Sequence, residues 1–392
     1  MLDAVGFGKP RPMAIDCRIT RMEIHGYWDE RFAGLCEEFQ RNFTERDDVG
    51  ASFAASVEGE LVVDMWAGSR DQARTLPWEE DTLVCVYSST KIMTALAALV
   101  LYDRGELDFD DPVTKYWPEF GQNGKESTLV RHFMGHTAGL IGFGEPLTQD
   151  QLFDWDHVIG VLERQAPGWE PGTQCAYHAI TQGFLVGEIV RRISGVSLGT
   201  FFRRAIGEPL EADFHIGLDP ANFSRAADLL PGAELELDLV PEGQGDQNGG
   251  IPNVMPPVAN GEGWRKAELP AVNGHGNARA MVRAQTPVAN GGSAFGVDLL
   301  QPGTIEQIFR EQGEVMGLGV THGIGYGVKG LFSALMPEGS KASFWGGLGG
   351  SIVLLDHTHR TCVAYAMNQM SLNLLGDRRA ASLTKRFYEA MA

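Results

Sequence analysis

Apolar residues recur along this chain with two different periods, and the order of those periods predicts its layout. Over residues 27–46, Phe32, Leu35, Cys36, Phe39 and Phe43 fall at helical spacing against Asp29, Glu30, Glu37, Glu38 and Arg41, which predicts an amphipathic helix. The runs 51–57 (ASFAASV) and 61–68 (LVVDMWAG) flank Glu58-Gly59-Glu60 and read as two strands around a tight turn. A further extended run, 81–88, leads straight into a helical stretch whose buried face is Ile92, Leu96, Leu99 and Val100. That stretch is apolar nearly all round, as suits a central helix, and Gly105 stands where a C-cap belongs.

The character changes after residue 105. LDFDDPVTKYWPEF, with its two prolines, reads as loop, and helical patterns then cover 127–135, 149–165, 178–194 and 198–205, with turns at 136–140 and 166–173. Residues 218–274 carry little periodicity and much Gly, Pro, Asn and Asp, a composition common in loops around a binding site. Mixed periodicity returns at 275: helices are predicted at 276–289 and 303–312, four strands at 323–335, 342–347, 350–356 and 360–368, and a last helix at 377–391 using Ala380, Leu383 and Phe387. Short turns between those strands imply antiparallel pairing. The predicted class is therefore α+β: an antiparallel sheet flanked by helices and formed by both chain ends, 26–105 and 275–392, with an all-helical, loop-rich domain, 106–274, inserted. Residues 1–25 are expected to be an N-terminal tail.

Composition narrows the partners. The 392 residues hold 32 basic and 51 acidic side chains, a net charge of −19, which disfavours nucleic acid and anionic membrane surfaces and suits a neutral or cationic small molecule. Cys17, Cys36, Cys85, Cys175 and Cys362 are scattered singly with no CxxC, so neither a disulfide framework nor a zinc site is expected, and a reducing, cytoplasmic setting is. The first residues lack the apolar core of a signal peptide, and no run of about 18 uncharged apolar residues predicts a membrane span. His357 and His359 fall in a polar turn and Gly291-Gly292 follows a helix with no strand before it, so no metal or nucleotide cofactor is expected.

Two serines are candidate nucleophiles. Ser88 and Lys91, three residues apart at the start of the central helix, lie one turn apart on the same face. In a buried place the amine activates the hydroxyl; the plainer role for Ser88 is a helix cap. Ser197 stands in Gly195-Val196-Ser197-Leu198-Gly199, which fits the G-x-S-x-G elbow. That elbow needs a strand before it, and here a helical pattern comes first, so Gly195 reads as a C-cap and Ser197 as the next helix's N-cap. His136 is expected to satisfy loop backbone groups, His178 to reach the cleft, and Asn368 to cap a strand end.

Ser88-x-x-Lys91, then Tyr177 in QCAYHAITQGF, then Trp345-Gly346-Gly347 on a late strand, taken in that order, resemble the serine β-lactamase and penicillin-binding superfamily. Within it the chain is most similar to class C β-lactamases and to the family VIII carboxylesterases, over about residues 25–390. The resemblance implies that Ser88 is the nucleophile and that Lys91 is a charge that lowers the pKa of Tyr177, the proton shuttle. It implies an oxyanion hole made by the backbone N–H groups of Ser88 and Leu348, with the helical domain forming one side of the cleft. Two departures concern substrate. Ala179 stands where the lactamases carry the Asn of Y-x-N, and Trp345 stands where they carry the Lys of K-T-G. Both losses remove polar recognition of a penicillin-like acid. Trp345, Gly346, Gly347 and His178 are then expected to line a site for a small neutral ester, the indole as an apolar wall. A β-lactamase, a D-amino-acid peptidase or acyltransferase, and a non-catalytic scaffold are the alternatives on the same fold.

Overall fold

The computed structural model describes residues 23–232 and 250–392. Their centre is a nine-stranded antiparallel sheet. In chain order its strands are β1 (His25–Trp28), β2 (Gly50–Val57), β3 (Glu60–Gly68), β4 (Gly313–Val315), β5 (Val320–His322), β6 (Gly327–Lys329), β7 (Ala342–Gly346), β8 (Ile352–Asp356) and β9 (Thr361–Met367). Across the sheet they run β1-β3-β2-β9-β8-β7-β6-β5-β4. The two chain ends meet where β2 pairs with β9, Ala51 opposite Met367 and Val57 opposite Thr361. Every residue of β8 and β9 is buried. Such strands need cover on both faces, which is why 352–355 and 362–367 read as continuous apolar runs instead of alternating.

Five longer helices complete the layers: α1 (Gly34–Glu45), α2 (Thr90–Asp103), α3 (Thr181–Ser194), α4 (Ala278–Ala289) and α5 (Arg378–Met391). Helix α4 packs on β2, β8 and β9, and α1 pairs with α5 as the second layer. Helix α2 is buried from Thr90 to Leu101 and lies between β7 and α3, where sheet and helical part join. Ile92, Leu96 and Leu99 are each fully enclosed and contribute about 1.5–3 kcal/mol apiece by leaving water.

The expected α+β class is the one observed, with local differences. The helix expected over 27–46 is a strand, a short 3₁₀ turn at Glu30–Phe32 and then α1. The helix expected over 149–165 is two, because Asp154 ends the first and caps the second through a bond from His157 N at 3.1 Å. The segment 323–335 yields only the three residues of β6 before a 3₁₀ turn at Leu331–Leu335, and β4 and β5 were not foreseen. The expected tail lies outside the described residues up to residue 22, and from His25 the chain is already paired with β3. Within 218–274, residues 233–249 lie outside the described residues; the rest holds short turns and a helix, Glu262–Lys266. Among the described residues no helix is long and apolar enough to cross a membrane.

Candidate active site

Ser88 is held by a strained turn. Tyr87 before it adopts φ +43°, a left-handed conformation that costs a non-glycine residue about 1–2 kcal/mol. Tyr87 is fixed there by its hydroxyl, which donates to Val254 O at 3.0 Å, and by its ring against Trp264. The main chain then closes on itself: Thr90 N donates to Tyr87 O at 2.9 Å and Lys91 N to Ser88 O at 3.0 Å. Regular helix starts at Thr90, so Ser88 precedes the cap and is not the cap itself.

Lys91 and Tyr177 meet on the Ser88 hydroxyl. Lys91 Nζ lies 3.2 Å from Ser88 Oγ, 2.7 Å from Ala179 O and 3.0 Å from Ala271 O. Tyr177 OH donates to Ser88 Oγ at 2.7 Å. Tyr177 is set by the loop 136–140: Ala176 N donates to His136 O at 3.1 Å, and His178 N to His136 Nδ1 at 3.2 Å. His136 thus plays the backbone-satisfying part expected of it.

Burial governs the charges here. It pushes the Lys91 amine well below its ordinary 10.5, and the partners of that amine are a hydroxyl and two main-chain carbonyls. Burial also pushes the Tyr177 phenol up to about 12, opposed by the bond to Ser88 and by the Trp345 indole N–H. Tyr177 as a whole is half-buried. The expected lowering of Tyr177 by a cationic Lys91 is therefore not found in the resting site: desolvation favours the neutral form of both groups. Lys91 Nζ sits within donor reach of three acceptors, Ser88 Oγ and the carbonyls of Ala179 and Ala271; in the neutral form two N–H groups suffice for the carbonyls and a lone pair is left for the Ser88 proton.

The late strand supplies the second wall. A Cβ on Gly347 would fall 2.1 Å from Val86 O and 3.1 Å from Ser88 N, so only glycine lets β7 run this close to the nucleophile. Gly346 is tight too, its Cβ position falling 2.6 Å from the backbone of Leu375. Among the described residues no acceptor takes the N–H of Ser88 or of Leu348. Two free donors on neighbouring segments, beside a hydroxyl, are what an oxyanion requires.

Two expected substrate contacts lie elsewhere. His178 is 1% exposed, its Nε2 accepting from Leu140 N at 3.0 Å and its Nδ1 donating to Ala176 O at 2.6 Å. It has no free group to offer a substrate. Trp345 is fully buried behind Tyr177, their ring centroids 5.6 Å apart, and is packed on His136 and His322. Its indole N–H has no partner in full hydrogen-bond geometry. It faces the tyrosine, not an open wall. Ser197 accepts from Thr200 N and donates to Glu268 at 2.6 Å as the cap of helix Leu198–Phe202, and Gly195 closes α3 at φ +74°. Asn368 bonds Gly50 N and Ser69 O as a strand-end cap. Sequence reasoning missed the carbonyls of Ala179 and Ala271, because a main-chain acceptor carries no side-chain signal.

A model of the Beta-lactamase family matches residues 39–385, and the chain belongs to that family. It is a serine hydrolase of the β-lactamase fold. It is 34% identical over 364 residues to Esterase/beta-lactamase LipL of Mycobacterium tuberculosis (strain ATCC 25618 / H37Rv), covering 88% of this chain and 82% of that one. Over 196 residues it is 31% identical to Esterase EstB of Burkholderia gladioli, 45% and 49% of the two chains. A solved family VIII carboxylesterase superposes with a TM-score of 0.86 at 34% identity, covering 94% of this chain and all 100% of that one. A penicillin-binding protein homologue from Caulobacter crescentus gives 0.83 at 33% identity, with coverage of 94% and 100%.

Proposed function

We propose that this protein is a carboxylesterase that hydrolyses small neutral esters through an acyl-enzyme on Ser88. The observation that carries the reading is the Ser88 hydroxyl held between Lys91 Nζ and Tyr177 OH, beside two unpaired backbone N–H groups. The Ser88 proton passes to the Lys91 lone pair as Oγ adds to the ester carbonyl. The oxyanion is received by the N–H groups of Ser88 and Leu348. The departing alkoxide takes the Tyr177 proton and leaves as the alcohol. The site then holds an ammonium and a phenolate, and here the charge of Lys91 does steady Tyr177. A water gives its proton to the phenolate while its hydroxide adds to the acyl carbonyl. Ser88 leaves with the proton returned by Lys91, and the free acid departs. Two groups thus trade one proton each way per half-reaction.

An ester is favoured over a lactam by what stands at the departing positions. Ala179 and Trp345 offer no amide and no cation to an acidic, amide-bearing substrate. The family VIII carboxylesterase and Esterase EstB support the same choice, while LipL is named for both activities. The test is a panel of p-nitrophenyl esters of graded acyl length, with nitrocefin as the lactam control and a phosphonate to label the nucleophile. The short esters should turn over, Ser88→Ala should abolish that, and the label should fall on Ser88. A nitrocefin rate equal to the best ester would overturn the preference.

A further inference from the structure

We propose that Arg379 is a positioning residue of the oxyanion hole, holding the turn that presents the Leu348 N–H. The inference rests on the reading of Ser88 and Leu348 above. The turn joining β7 to β8 is gripped from two sides. On the nucleophile's side, Ser351 Oγ donates to Val86 O at 2.9 Å and lies 3.0 Å from Ser89 Oγ. On the far side, Gly349 O, one residue past Leu348, accepts from Arg379 Nη2 at 2.8 Å and from Ser371 N at 3.1 Å. Gly349 N donates to Asn373 O at 3.1 Å. A Cβ on Gly350 would fall 2.5 Å from Asp377 Oδ2 and 2.8 Å from Arg379 Nη2, so the turn is pressed against the guanidinium group and its carboxylates.

All five N–H donors of Arg379 are used. Nε and Nη2 bond Asp377 Oδ2 at 2.9 and 2.6 Å, Nη1 bonds Asp48 Oδ1 at 2.6 Å and Gln369 O at 2.8 Å, and the remaining Nη2 hydrogen goes to Gly349 O. The side chain is 4% exposed. Two carboxylates offset the guanidinium charge, so Arg379 does not act on the oxyanion as a distant cation. What it supplies is geometry: a planar fork whose donors cannot shift independently. A pair that only balanced charge would need Asp48 and Asp377 alone. Here donors also go to two main-chain carbonyls, one of them in the turn itself. Oxyanion donors work over about 2.7–3.1 Å, so a turn that drifts by a fraction of an ångström loses much of their effect.

Arg379→Lys keeps a cation between the carboxylates but replaces the fork with three donors on one atom, too few for all the present acceptors. Ser371→Ala removes a smaller part of the hold on Gly349 O and Asp377. Each is compared with the wild type in kcat and KM on p-nitrophenyl butyrate, and in affinity for an arylboronic acid whose tetrahedral adduct on Ser88 fills the hole. Part-loss of one oxyanion donor predicts that Arg379→Lys lowers kcat about 10- to 100-fold with KM within about twofold, and weakens the boronate by the same factor. Ser371→Ala should move both readouts in the same sense by about two- to fivefold. Melting curves identify folded variants, and Ser371→Ala decides if Arg379→Lys does not fold. A folded variant with wild-type kcat, a loss confined to KM, or a fall in kcat with unchanged boronate affinity overturns the proposal. If the wild type cleaves no ester, the esterase reading fails, while the boronate ratio still decides the role of Arg379.

Discussion

Replacing Tyr177 by Phe separates the two halves of the reaction. The ring stays, and its packing on Trp345 and His136 with it; only the hydroxyl that donates to Ser88 Oγ at 2.7 Å is lost. Removing one such bond costs about 0.5–1.5 kcal/mol of stability, a shift of a few degrees at most in a chain of this size. Loss of the proton shuttle should lower turnover by about 10²–10⁴, equivalent to about 2.7–5.4 kcal/mol of barrier. The gap between those figures means that an inactive variant cannot be excused as an unfolded one. The two steps should also suffer unequally. p-Nitrophenolate leaves without needing a proton, so acylation by its esters is spared, whereas attack of water still lacks the phenolate base. The expected result is a burst of about one p-nitrophenolate per site followed by near-arrest, with intact-mass spectrometry finding the acyl group on Ser88. A simple alkyl ester, whose alkoxide needs the proton, should show no burst. Steady turnover within tenfold of the wild type, or no accumulated acyl-enzyme, would refute the assignment.

The remaining predictions concern the neighbours of that hydroxyl. Burial holds Lys91 below its ordinary 10.5 and the chemistry needs the neutral amine, so activity should be present above the folded-state value and fall as pH drops through it. Stability has the same sign: between that value and 10.5 the unfolded chain binds a proton the folded one does not, so stability rises with pH across the window. Lys91→Met should abolish turnover and flatten the dependence of melting temperature on pH relative to the wild type. Gly347→Ala drives a Cβ to within 2.1 Å of Val86 O; kcat should fall at least about 10²-fold as the two oxyanion donors part, measured on protein whose circular dichroism is preserved. Ser197→Ala removes a helix cap and should lower stability by about 1 kcal/mol in urea unfolding while esterase kcat stays at the wild-type level.

Much of this was legible in the chain, for reasons that differ by residue. The run from Ile92 to Leu101, apolar but for Thr94, could only be an interior helix, and the strands β8 and β9, apolar but for the terminal Asp356 and Thr361, could only be central. Ser88, Lys91 and Tyr177 were readable because they are side chains in spaced motifs, and the structure brings all three together. What was misplaced depends on direction. Whether His178 turns toward the cleft or into the core is set by the Leu140 N–H that claims its Nε2, a partner 38 residues away in sequence. Trp345 was correctly placed on its strand and wrongly taken as a substrate wall, because pleat alone does not tell which layer lies above it. The burial that lowers the Lys91 pKa was not readable either, because the carbonyls that hold its amine, Ala179 O and Ala271 O, come from two distant segments. Strands β4 and β5 are three residues each, too short for any alternation to show.

The pairing of β2 with β9 has a consequence for synthesis. Ala51 and Met367 are neighbours in the sheet, yet more than three hundred residues are made between them. At about 5–20 residues per second, Ser88 and Lys91 leave the ribosome many seconds before the turn that carries Leu348. On the proposed mechanism the nascent chain until then holds the nucleophile without a complete oxyanion hole, and β2 has an edge without its partner. An unfinished chain would then expose an unpaired strand and not a working hydrolase.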